Sequence, residues 1–143
     1  MALTNVKPVT LATADYAELA AFRRALREFL HFSEDAAARA GLSGRQYQAM
    51  LFLRGRQGAR AVSIEDLAQE LLIKHNSAVG LVDRLVQQRL LTRAISSADR
   101  RKVELTLTPR GRTILATLAA LHRQELLRLG PVFKRFFADI SRQ

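Results

Sequence analysis

Apolar and polar positions along the chain follow two rhythms. Between residues 14 and 40, Tyr16, Leu19, Phe22, Leu26, Phe29 and Leu30 recur at spacings of three and four, which predicts one helix face. Gly41 predicts the end of that helix. LSGRQYQAMLFL restarts the rhythm, with Ser43 and Gln46 spaced as a capping box, and Gly55 and Gly58 close it. SIEDLAQEL predicts a third helix, capped by Ser63, with Glu65 and Asp66 in the first turn where the helix dipole favours acids. In KHNSAVGLVDRLVQQ, Ala78, Leu81, Val82 and Leu85 give the i, i+3, i+4, i+7 stripe of a fourth. The period then drops to two. LLTRAI (90–95) predicts a short strand, and VELTL, with Val103, Leu105 and Leu107 on one face, predicts its hairpin partner. Thr108-Pro109, a capping hydroxyl followed by proline at the first helical position, opens a helix expected to run to about Leu129. Gly130-Pro131 predicts a break, and Val132, Phe133, Phe136, Phe137 and Ile140 a last apolar helix. Residues 1–13 have no period, include Pro8 and read as a mobile arm.

The order is therefore four helices, a hairpin and two helices: mainly α with a small β-hairpin. At 143 residues a single domain spanning 1–143 is expected. An apolar fraction of 48 % with 25 % charged residues is globular rather than disordered composition. No apolar run reaches membrane-spanning length, and the first residues lack the layout of a signal peptide, so a cytoplasmic protein without a membrane partner is expected. The absence of cysteine removes disulfides, thiolate metal sites and thiol redox sensing.

Charge adds a partner to this picture. The net charge is +10, and it is unevenly placed. Residues 1–40 are neutral overall, residues 41–112 carry 13 basic and six acidic side chains, and residues 113–143 add five and two. A basic middle points to a polyanion, nucleic acid above all.

Two short helices followed by a basic hairpin is the order of a winged helix-turn-helix, with its turn near Leu72–Lys74. In that geometry the second helix enters the major groove by its N-terminal residues, here Lys74, His75, Asn76 and Ser77, all able to donate hydrogen bonds. Gly80, Asp83, Arg84 and Gln87 continue along the face opposite the apolar stripe. The same pattern suits an ordinary solvated face; the neighbouring hairpin favours the groove. Its turn holds Asp99, Arg100, Arg101 and Lys102. A wing tip of this kind places an arginine in a narrow minor groove. Asp99, which phosphate would repel, is expected to hold the turn and orient Arg101 by a charge-assisted hydrogen bond.

LSGRQYQAMLFL, SIEDLAQELLI, LVDRLVQQRLLTR and DRRKVELTLTPRG together resemble the MarR-type transcriptional regulators over about residues 42–111. The Asp-x-Arg at Asp99–Arg101 is the most specific piece, and the family's wing arginine maps onto Arg101. One departure is Arg89, where the family often has glycine after the recognition helix. A non-glycine residue in a left-handed cap costs roughly 1 kcal/mol, which predicts a differently shaped helix end. The resemblance implies a homodimeric repressor of a pseudo-palindromic operator. It gives a DNA-binding lobe at about 42–112 and dimerisation helices at about 14–40 and 113–143. Leu115, Leu118, Leu126, Leu129 and Phe133 are apolar surface beyond one stripe and fit a partner helix. The resemblance further implies release by a small aromatic or phenolic ligand in a crevice between these helices and the lobe. The candidates for lining it are His31, Tyr47 and Phe52.

Other classes fit less well. No nucleophile–base pair, phosphate-cradling glycine loop or metal cluster points to an enzyme or a cofactor, and His31, His75 and His122 lie far apart in sequence. A nucleoid-type protein would share the charge but bind DNA without sequence preference. An RNA-binding winged helix would be expected to show exposed aromatics for base stacking, and the candidate face has none.

Overall fold

The computed structural model describes residues 9–58 and 61–142; residues 1–8 of the expected arm lie outside these. Helix α1 spans Thr13–Arg39, α2 Gly44–Gly55, α3 Ile64–Leu71 and α4 His75–Gln87. Strands β1 (Leu91–Ile95) and β2 (Val103–Leu107) form an antiparallel hairpin, and α5 runs Pro109–Ile140. The sheet register pairs Leu91 with Leu107, Arg93 with Leu105 and Ile95 with Val103.

Local chemistry accounts for most of the boundaries. Ser43 and Gln46 form a reciprocal capping box on α2, Ser63 and Asp66 do the same on α3, and Thr108 Oγ1 accepts the Gly111 N–H at 3.0 Å to start α5. Helix α1 ends at Gly41, whose φ of +77° only glycine adopts without strain. Packing then assembles the lobe. Met50 on α2, Leu67 on α3, Val82 and Leu85 on α4, and Leu90 and Leu91 at the hairpin's root are almost wholly inaccessible. Each such side chain contributes about 1.5–3 kcal/mol by leaving water. Leu105 and Leu107 close the lobe from β2, and the Leu105 N–H donates to the Val62 carbonyl at 3.1 Å, pinning the hairpin ahead of α3.

Two expectations are corrected. The break at Gly130-Pro131 does not occur: one 32-residue helix carries Pro131 in its interior. Proline there forfeits one backbone bond and crowds the carbonyl four residues back. Aromatic packing of the following turns on α1 offsets that cost: Phe22 stacks on Phe136 at 4.4 Å and meets Phe133 edge-on at 5.5 Å. Nor is the end of α4 reshaped by Arg89. Arg89 takes φ +59°, as glycine would; its N–H donates to the Val86 carbonyl and the Leu90 N–H to the Leu85 carbonyl, both at 3.0 Å. That is the Schellman cap, and the buried Leu90–Leu85 pair beneath it offsets the strain.

Candidate nucleic-acid interface

Helix α4 buries Ala78, Leu81, Val82 and Leu85, so its opposite face is free. Lys74, His75, Asn76 and Ser77 are all exposed at its start. Lys74 sits at the N-cap without a side-chain cap, leaving donors of the first turn to a ligand or solvent. His75 Nδ1 lies 3.8 Å from a carboxylate oxygen of Glu65 on α3. Arg84 is exposed two turns further along.

The loop between the strands is ordered by its own polar groups. Ser96, nine-tenths buried, accepts the N–H groups of Ala98 and Asp99 through Oγ, both at 3.2 Å, and its own N–H donates to the Lys102 carbonyl at 2.9 Å. Asp99 Oδ1 accepts from the Arg101 N–H at 3.0 Å and from Arg101 Nε at 3.4 Å. The Arg101 side chain is nevertheless 91 % exposed, and Arg100 and Lys102 are exposed beside it. Asp99 thus fixes the base of Arg101 and leaves its tip in solvent.

Sequence reasoning placed Asp83 on the open face of α4 and missed its partner. Arg93 Nη1 on β1 donates to Asp83 Oδ1 at 2.7 Å, tying α4 to the hairpin and neutralising the one acid of α4. Ser96 was missed too, although a serine two and three residues before its N–H donors is a recognisable turn signal. The contact between His122 and Ser33, 89 positions apart, had no signal at all.

The three crevice candidates do not meet within one chain. His31 lies on the open face of α1, its side chain 81 % exposed and 3.4 Å from Asp35. Ser33, about 200° further round the helix, is the residue turned inward. Tyr47 is buried, its ring stacked on His122 at 4.2 Å, and burial raises its phenol pKa above the usual value. His122 in turn bonds the Leu118 carbonyl through Nδ1 at 2.6 Å and Ser33 Oγ through Nε2 at 2.8 Å. A carbonyl only accepts, so Nδ1 carries the proton. Phe52 alone borders an open groove, of about 400 Å³, between α2 and α3, with the Arg56 guanidinium 6.0 Å from its ring centre. Of the apolar residues assigned to a partner helix, Leu115, Leu118 and Leu129 are instead buried within the chain. The exposed large apolar side chains of α1 and α5 include Tyr16, Leu19, Leu30, Leu126, Leu127 and Phe137. No helix among the described residues is long and apolar enough to cross a membrane.

An exposed polar helix beside a cationic two-stranded wing defines a winged helix-turn-helix protein. Residues 40–102 match the profile of the MarR family. Solved structures agree in fold. BpsR of Bordetella bronchiseptica is 29 % identical, with TM-score 0.61 over 76 % of this chain and 80 % of that one. AbsC of Streptomyces coelicolor, a MarR family regulator, is 20 % identical, with TM-score 0.69 over 93 % and 84 %. A point mutant of Staphylococcus aureus MepR, bound to an oligodeoxyribonucleotide, is 16 % identical, with TM-score 0.68 over 92 % and 96 %. No curated protein sequence matches the chain. The chain is thus similar to the MarR family in sequence over residues 40–102, and it shares its winged-helix fold with solved MarR-family transcriptional regulators.

Proposed function

We propose that the protein is a homodimeric repressor of a pseudo-palindromic operator, not an enzyme, and that a small aromatic anion releases it from DNA. The observation that carries this reading is the joint presentation, from one rigid lobe, of Lys74, His75, Asn76 and Ser77 on a helix and Arg101 on a wing. Two acids of that surface, Asp83 and Asp99, are engaged by cations. His75 and Asn76 read base edges, Lys74, Arg84, Arg100 and Lys102 meet phosphates, and Arg101 enters the minor groove.

The exposed apolar side chains of α1 and α5 support a second copy, and a two-fold dimer matches a two-fold operator. Two relatives lend weight: MepR was solved on an oligodeoxyribonucleotide, and the DNA binding of BpsR is regulated by 6-hydroxynicotinic acid. Of the three ligand candidates, Phe52 with Arg56 above its ring offers an aromatic anion both a stacking face and a cation. His31 and Tyr47 would serve it only as neighbours.

Selection of binding sites from a random duplex library, with the mass in solution measured alongside, tests the reading. A symmetric consensus with half-sites about 10 base pairs apart, bound by a particle of twice the chain mass, is expected. Binding without consensus that collapses as salt rises would assign the protein to non-specific DNA coating. Titrating 6-hydroxynicotinate into the complex then tests release, which Phe52→Ala is expected to weaken.

A further inference from the structure

The outward face of α4 carries a glycine that the fold does not require. At about 100° per residue, Asn76, Gly80, Asp83 and Gln87 fall within roughly 60° of one another, opposite the buried stripe. Gly80 is not in the left-handed region; among the described glycines only Gly41 and Gly58 are. Nor does it avoid a clash. A Cβ at Gly80 would meet only Arg84 Nη2, at 3.9 Å, an ordinary contact with the end of a flexible side chain. The other helical glycines differ. A Cβ at Gly111 would strike the Leu90 carbonyl, one at Gly44 the Glu34 carboxylate; Gly55 is the last residue of α2, and Gly130 precedes Pro131, whose ring restricts it. Glycine in a helix interior is a poorer helix former than alanine. Gly80 therefore costs stability and returns nothing inside the chain.

The return lies outside it. Gly80 leaves a gap in the helix surface one turn beyond Asn76, with the end of the flexible Arg84 side chain as the one group within 4 Å of where a Cβ would sit. The floor is helix backbone whose N–H and C=O groups are spent on the helix itself, so the floor offers no hydrogen bond. A small apolar group can rest on that floor without leaving a polar atom unpaired. In the major groove the one apolar projection from the base edges is the thymine 5-methyl group. We propose that Gly80 is a specificity-determining residue, the seat of a thymine methyl in each operator half-site. This rests on the reading of α4 as the helix that enters the major groove.

Gly80→Ala separates the possibilities, because it fills the gap while favouring the helix. Its unfolding midpoint should rise by about 2–4 °C, so that lost binding is not lost folding. The wild-type consensus should contain a thymine that Gly80→Ala no longer selects, with affinity for the wild-type operator down roughly tenfold. Exchanging that thymine for uracil, which removes only the methyl group, should weaken wild-type binding about fivefold and leave the variant indifferent. A variant that keeps the same consensus and affinity overturns the assignment while leaving the operator reading intact. A variant with a lower midpoint also overturns it, by showing that the glycine serves the fold. A wild-type protein that selects no consensus overturns both.

Discussion

Arg101 is fixed at its root and free at its tip: its N–H and Nε both point to Asp99, yet the side chain is 91 % exposed. Such preordering lowers the entropy lost when a long side chain meets DNA. Arg101→Ala should weaken operator binding by about 1–3 kcal/mol in a titration with labelled duplex, and unchanged affinity would reject the wing contact. The Asp-x-Arg spacing made this residue legible because the bond that orients it spans two positions. Tyr47 shows the opposite case. Its place on an apolar face predicted either core or ligand site, and only the fold shows that His122, far along the chain, lies flat against it. Burial favours the neutral phenol and raises its pKa above about 10. The associated stability is full below the unfolded value and is lost as pH rises through the folded one. Tyr47→Phe cannot ionise, so its melting temperature should fall less than that of the wild type as pH rises above about 10. Parallel decline of the two proteins would show that other groups govern alkaline unfolding.

Helices α1, α3 and α4 end in the same way, with a left-handed residue (Gly41, Leu72 or Arg89) and a bond from the next N–H to the carbonyl five residues back, at 2.9–3.0 Å. Two of the three accept strain that glycine would relieve. Arg89→Gly should therefore stabilise the protein by about 0.5–1 kcal/mol in denaturant melts. A loss instead would mean that the arginine side chain has a partner outweighing the strain. Helix starts were legible because a cap is written in three or four consecutive residues, as Ser43–Gln46 and Thr108-Pro109 show. The passage of α5 through Pro131 was not, because what carries it is the stacking of Phe136 on Phe22, more than a hundred positions away. The joint between elements was equally hidden. Asp83 and Arg93 couple α4 to β1 with side chains only about half covered, so the pair contributes little to stability but sets an angle. Reversing either charge alone should weaken operator binding several-fold, and the exchange Asp83→Arg with Arg93→Asp should recover most of it. Failure of the exchange, with a salt dependence reduced by one contact in the Arg93 variant, would make Arg93 a phosphate ligand in its own right.

The chain divides its surface by chemistry: residues 41–112 hold most of the positive charge, whereas most of the exposed large apolar side chains lie on α1 and α5. The sequence pattern showed that the terminal helices are apolar on more than one side. It could not say which side was which, since a helix with two apolar faces reads the same whichever one is covered. Leu115, Leu118 and Leu129 went inward and Leu127 outward, where it is 78 % exposed. Leu127→Asp should halve the mass in solution and lower operator affinity roughly a hundredfold, as the second half-site no longer binds as part of one particle. A dimer of unchanged mass would place the two-fold axis elsewhere. Because α5 begins one residue after β2 and runs unbroken for 32 residues, it is about 48 Å long and reaches from the wing to those apolar side chains. It is a lever arm. A tilt of about 5° at the far end sweeps the other through roughly 4 Å, more than one base-pair step of about 3.4 Å. If the proposed two-copy repressor uses it so, a change in seating too small to break a single contact between the copies is enough to miss the operator.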